Sequence, residues 1–172
     1  DTVLVHAASG SVGQAVVQFA RLYGATVLGT TSDRRADRVA ALGATPLPYG
    51  PGVIDRVHEL APQGVTVAID LVGTDEALAQ SIALVRDRSR IATLVRGADA
   101  AGLGIRAFSG GSPDPLTAQE LAWRREAIPV AAALVAAGAF TVEIGPEVPL
   151  ADAAEAHRLV DKGTDGKVVL LP

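Results

Sequence analysis

The chain has 172 residues, 49% of them hydrophobic and 20% charged, enough apolar material for a packed domain and unlike a disordered chain. Fifteen Lys and Arg against nineteen Asp and Glu leave a net charge of -4, which argues against a nucleic-acid partner, because neutralising phosphates needs excess basic side chains. The chain contains no Cys, which excludes disulfides, a thiolate nucleophile and Cys-ligated zinc; no apolar run is long enough to span a bilayer and no signal-peptide pattern opens the chain, so a cytoplasmic location without a membrane partner is expected.

The first strand, Thr2 to Ala7, is nearly continuous in apolar character, as a strand buried on both faces should be. Helical spacing follows, with Val12, Ala15, Val16, Phe19, Ala20 and Tyr23 on one stripe and Gly24 as its C-terminal cap. Thr26 to Thr30 reads as a second strand. Asp33 is placed to cap a helix running to about Leu42 and closed by Gly43. A short strand is expected near Leu47 to Tyr49, weakened by Pro46 and Pro48, then a helix over Val53 to Leu60. Val65 to Leu71 is a clean strand, Thr74 caps a helix to about Val85, and Arg90 to Val95 is another strand. This alternation predicts an α/β fold, a Rossmann doubly wound parallel sheet in a single domain over 1–172.

The second part is less regular. Gly97 to Gly104 reads as a loop, Ile105 to Phe108 as a strand, and Gly110 to Asp114 as a turn-rich stretch. A helical pattern starts at Thr117 or Ala118 and reaches Ala137, with Gly138 after it; Pro129 inside it should kink it or divide it in two. Leu150 to Val160 reads as a helix with Asp152 in its first turn, and Lys167 to Leu171 as a final strand. The chain opens at Asp1, has no Met and enters a buried strand by Val3, so a fragment of a longer protein, or the ordered part of one, is expected.

Between the first strand and first helix lies Ala8-Ser9-Gly10-Ser11-Val12-Gly13, a G-x-G-x-x-G pattern with Ala in the first place. The first position should make the tight turn, Gly10 should let the backbone approach a pyrophosphate, and Gly13 should let the helix pack closely on the sheet. The helix N-terminus then offers free N–H groups and its positive dipole end to the phosphates. The strand before it, the helix after it and the second strand beyond are the context a dinucleotide site requires. A P-loop is excluded, because no Gly-Lys-Ser/Thr follows. A short-chain dehydrogenase is disfavoured, because neither Tyr23 nor Tyr49 has a Lys three residues on.

The end of the second strand speaks to which dinucleotide. NAD enzymes usually place a carboxylate there for the ribose 2′-OH; here Thr30 holds the place, which permits a 2′-phosphate. Ser32 can donate a hydrogen bond, and Arg34 or Arg35 can supply a charged fork. NADPH is therefore the expected cofactor, with Asp33 left as either a helix cap or a ribose ligand.

With the glycine loop, Thr30-Thr31-Ser32-Asp33-Arg34-Arg35 and Leu42-Gly43-Ala44, the sequence resembles the medium-chain dehydrogenase/reductase superfamily. Its likeness is to the zinc-independent quinone oxidoreductase branch, related to enoyl reductases of polyketide synthases. Further support comes from Ala68-Ile69-Asp70-Leu71-Val72-Gly73, from 149–157 and from 166–170. The resemblance implies that Ser11 to Gly13 hold the pyrophosphate, that Arg35 takes the part of a Lys on the 2′-phosphate, and that Tyr49 lies beside the adenosine. It implies that Val72 and Val95 flank the nicotinamide, and that an edge strand near Ile105 to Phe108 pairs in a homodimer. The implied activity is hydride transfer from NADPH to a small-molecule substrate, a quinone or activated alkene, by an enzyme whose substrate domain lies N-terminal to this chain. A zinc-dependent alcohol dehydrogenase, a polyketide synthase enoyl reductase region and a non-catalytic nucleotide-sensing domain are the alternatives. His6 is expected in the core, His58 and His157 on solvated helix faces. No metal ligand set and no catalytic acid–base pair is nominated.

Overall fold

The computed structural model describes residues 1–108 and 115–172, so the expected turn at Gly110 to Asp114 lies outside the described residues apart from its approaches. The chain forms two compact units, Asp1–Gly111 and Ser112–Pro172. Every strand of the large sheet lies in the first unit, and among the described residues the last two strands pair with each other.

In the first unit, β1 (Thr2–Val5), β2 (Thr26–Thr31), β3 (Thr45–Pro48), β4 (Val67–Asp70), β5 (Ile91–Thr93) and β6 (Arg106–Ala107) form one sheet in the order β3-β2-β1-β4-β5-β6. All of its pairings are parallel. The connecting helices are α1 (Ser11–Leu22), α2 (Ala36–Ala41), α3 (Val53–Leu60), α4 (Asp75–Leu84) and α5 (Gly97–Leu103). Side chains alternate faces along a strand, and the core divides accordingly. Leu4, Leu28 and Ala68 pack with Val53, Val57 and Leu78 of α3 and α4. Val3, Val5 and Val27 pack with Val17 and Val39 of α1 and α2. Helices thus cover both faces, and the Rossmann-like, doubly wound α/β sheet expected from the sequence is present.

Local chemistry sets the boundaries. Gly24 and Gly43 have φ of +82° and +88° just past α1 and α2, as helix-ending glycines should. Thr74 caps α4, its hydroxyl accepting from the Ala77 N–H at 3.2 Å. The prolines of β3 are tolerated because that strand lies at the sheet edge. Asp33 does not cap: Ser32 holds the cap position of a 3-10 turn, Asp33–Arg35, that leads into α2. Gly97 to Gly104 is a helix rather than a loop. Ala98, Ala100 and Ala101 favour it, Ala100 is buried, and Gly104 ends it at φ +70°.

The second unit contains α6 (Ala118–Ala136), β7 (Ile144–Pro149), α7 (Ala153–Lys162) and β8 (Lys167–Leu171). A capping box between Thr117 and Glu120 starts α6, which runs as one helix through Pro129 rather than as two. β7 and β8 are parallel neighbours joined through α7. Strand β7 escapes a reading by periodicity because Gly145, Pro146 and Pro149 interrupt its apolar residues. Among the described residues, no helix is long and apolar enough to cross a membrane.

Candidate functional site

In a parallel sheet the loops that follow the strands gather at one edge, and the strand order reverses between β1 and β4, where a crevice opens. Every candidate cofactor-binding residue from the sequence lies on or just beyond the carboxyl end of a strand from β1 to β5, all within the first unit.

The turn after β1 is tightly built. Ala7, not Ala8, makes the bend: it has φ of +58° and is alone among the described non-glycine residues in having a positive φ. Its carbonyl oxygen accepts from the Gly10 N–H at 3.1 Å, while Ala8 N–H donates to the Thr30 carbonyl oxygen at 2.9 Å. Ala7 N–H donates to Thr30 Oγ1 at 3.1 Å. Thr30 is buried, so its side chain fastens the turn to β2.

The two glycines differ. A Cβ on Gly13 would fall 2.2 Å from the Ala7 carbonyl oxygen and 2.7 Å from Ala8 Cα, so the fold itself demands glycine there. Gly29 on β2 makes room from the other side, since its Cβ would fall 2.6 Å from that of Ala8. Gly10 is exposed, and its Cβ would meet the Ala7 oxygen at an ordinary 3.4 Å. Among the described residues no packing requires Gly10, so the backbone there is open to close approach. Gly10 is also the N-cap of α1, with no side-chain cap and no acidic residue in the first turn. That terminus suits an anion.

Beyond β2, Arg35 Nη2 comes within 3.5 Å of the Ser9 carbonyl oxygen. Gln14 Nε2 donates to the same oxygen at 2.9 Å and Arg38 Nε donates to Gln14 Oε1 at 2.9 Å. The glycine turn and the segment after β2 are therefore joined, with Arg34 exposed and Ser32 half-buried at the same place. Gln14 and Arg38 carry no sequence signal, since each is an ordinary polar helix residue until the fold pairs them. Thr31 Oγ1 is buried without a hydrogen-bond partner among the described residues. A buried polar atom without a partner is unfavourable, and this one ends β2 beside the arginines. Sequence reasoning chose Thr30 and missed it, although alternation along a strand sends adjacent side chains to opposite faces.

Tyr49 follows β3 and is largely exposed, its N–H donating to the Thr31 carbonyl oxygen. Val72 and Val95, in the loops after β4 and β5, are 45% and 53% exposed. The loops touch, since a Cβ on Gly73 would lie 2.5 Å from Val95 Cγ1. His6, just past β1, is 2% exposed, and its Nε2 has no hydrogen-bond partner among the described residues. Burial pushes its pKa down to about 4, opposed in part by Asp70, so the ring is neutral near pH 7.

This edge, with its glycine turn, uncapped helix end and cationic side chains, is the candidate site. The family model described as zinc-binding dehydrogenase matches residues 42–170. The chain belongs to that family, within the medium-chain dehydrogenase/reductase superfamily. It is 32% identical to the 2-haloacrylate reductase of a Burkholderia species, covering 100% of this chain and 56% of the relative. Among solved structures, a mycobacterial quinone oxidoreductase matches with a TM-score of 0.75 at 30% identity, over 100% of this chain and 56% of that one. A mycobacterial protein complexed with NADPH matches with a TM-score of 0.73 at 29% identity, over the same shares. The chain thus spans about half the length of the relatives it matches.

The family's description names zinc, yet these residues do not fit a zinc site. The chain has no Cys, and among the described residues no group of three or more His, Cys, Asp or Glu could hold a metal ion.

Proposed function

We propose that this chain is the NADPH-binding part of an oxidoreductase that delivers hydride to a small electrophilic substrate, a quinone or an activated alkene. One observation carries the reading. The turn at 8–13 brings an uncapped helix end and an unneeded glycine, Gly10, to the β1–β4 crevice, while β2 ends in Thr30 and Thr31 with Arg34 and Arg35 just beyond. The names of the relatives, quinone oxidoreductase and 2-haloacrylate reductase, and the NADPH in one neighbour agree with it.

In this reading Ala8, Ser9, Gly10, Ser11, Val12 and Gly13 surround the pyrophosphate, whose charge meets the N–H groups and dipole of α1. Ser32, Arg34 and Arg35 hold the 2′-phosphate by charge-assisted hydrogen bonds, with Thr30 securing the turn behind them. Tyr49 lies beside the adenosine, and Val72 and Val95 border the nicotinamide. Bound NADPH supplies the hydride; the protein supplies binding, orientation and exclusion of water. Substrate contacts belong to a domain beyond this chain, so no residue here is assigned acid–base duty. A cytoplasmic setting and a homodimer formed through the edge strand β6 complete the reading.

The division of labour has a direct test. The purified chain is expected to bind NADPH and to give no steady NADPH oxidation when a quinone is added. Sustained oxidation at 340 nm by this chain alone would show that substrate chemistry resides here and refute the division.

A further inference from the structure

Asp70 and Thr93 end neighbouring strands, pair in register across the β4–β5 ladder and are both fully buried. Asp70 Oδ1 accepts from the N–H groups of Val72 at 3.1 Å and Gly73 at 2.9 Å. Thr93 repeats the arrangement one strand over: its Oγ1 accepts from the N–H groups of Val95 at 3.2 Å and Arg96 at 3.0 Å. The two are joined, the Thr93 hydroxyl donating to Asp70 Oδ2 at 2.7 Å. A hydroxyl has one proton and two lone pairs, and here all three are in use. Leu94 N–H donates to the Asp70 carbonyl oxygen at 3.0 Å, and Arg96 Nη1 donates to the Gly73 carbonyl oxygen at 3.1 Å.

Two buried polar side chains thus hold four loop N–H groups and each other. A fully satisfied buried network fixes one arrangement, whereas an apolar pair would leave the four N–H groups free to move. The pinned backbone brings the two loops together, Gly73 against Val95, and leaves the valine side chains at 72 and 95 exposed.

We propose that Asp70 and Thr93 are positioning residues, a linked clamp that presets the loops at Val72–Gly73 and Val95–Arg96 to receive the nicotinamide end of the dinucleotide. This rests on the NADPH-binding reading above. The clamp acts on the nicotinamide half alone, because the 2′-phosphate half meets the loops after β1 and β2. Its loss separates the two halves, which general damage to the fold does not do.

The test compares two ligands on the full chain: NADPH, and adenosine 2′,5′-bisphosphate, which lacks the nicotinamide. Thr93→Val keeps the shape and removes the hydroxyl. It is expected to weaken NADPH by about fivefold or more, the loss of roughly one net hydrogen bond, and to leave the bisphosphate unchanged. Thr93→Ser keeps the hydroxyl and is expected to restore NADPH binding. Asp70→Asn turns an N–H₂ group toward a hydroxyl already accepting twice, and is expected to act like Thr93→Val. Equal weakening of both ligands, or of neither, would overturn the clamp while leaving the NADPH reading intact. Failure of the unaltered chain to bind NADPH would overturn both. A second measurement needs no variant: the amides of Gly73 and Arg96 should exchange slowly before NADPH is added. Protection appearing only with NADPH would show that the loops are not preset.

Discussion

At Gly13 an added Cβ would lie 2.2 Å from a backbone oxygen, and at Gly10 it would lie 3.4 Å from the same atom. The sequence pattern treats both as parts of one motif; the fold separates a packing glycine from a ligand glycine. Gly13→Ala is expected to destabilise the chain by about 1–3 kcal/mol, an overpacking cost against backbone that cannot rotate away. Gly10→Ala is expected to cost the fold under about 1 kcal/mol, the difference in N-cap preference, while abolishing NADPH binding. Urea melts and calorimetry on both variants check this; if Gly10→Ala binds NADPH normally, no phosphate lies against that backbone. His6 gives a second prediction. Its folded pKa, about 4 against 6.5, means that the unfolded chain binds the extra proton between those values. Its contribution to stability is therefore complete above pH 6.5 and falls as the pH drops toward 4. With a limiting slope of roughly 1.4 kcal/mol per pH unit between the two values, going from pH 6.5 to 5 should cost the wild type about 1.5 kcal/mol more than His6→Gln. Equal pH dependence of the two in urea melts would contradict it.

At the scale of elements, what was legible followed from period and punctuation. Strand β1 reads as a buried run because both faces are covered, and α3 and β8 are bounded as expected. Where the reading failed, the local signals were outweighed. Three glycines in 97–104 suggested a loop, but the fold closes it as α5 with Ala100 in the core. Pro129 suggested a kink or a division into two helices, and α6 is not divided there. In the site, the glycine turn was visible because glycine spacing is itself the signal. Ala7 as the bend and Thr31 as the partnerless hydroxyl were not, since nothing in an Ala or a Thr announces backbone angle or burial. Nor were Gln14 and Arg38, whose link to Ser9 depends on two segments that only the fold brings together.

At the scale of the whole molecule, the chain carries a complete doubly wound sheet, a second small unit and about half the length of its relatives. The proposed cofactor platform is the sheet edge, which collects five loops that carry the glycine turn, the arginines and the two valines. The claim at the centre is that the arginines beyond β2 make this a platform for NADPH rather than NADH. Titration calorimetry of the chain with each, repeated for Arg34→Ala and Arg35→Ala, tests it most directly. Tighter binding of NADPH is expected, with the preference lost in at least one variant while NADH binding persists. Equal binding of the two dinucleotides, unchanged in both variants, would contradict it and would assign Asp33 to the ribose.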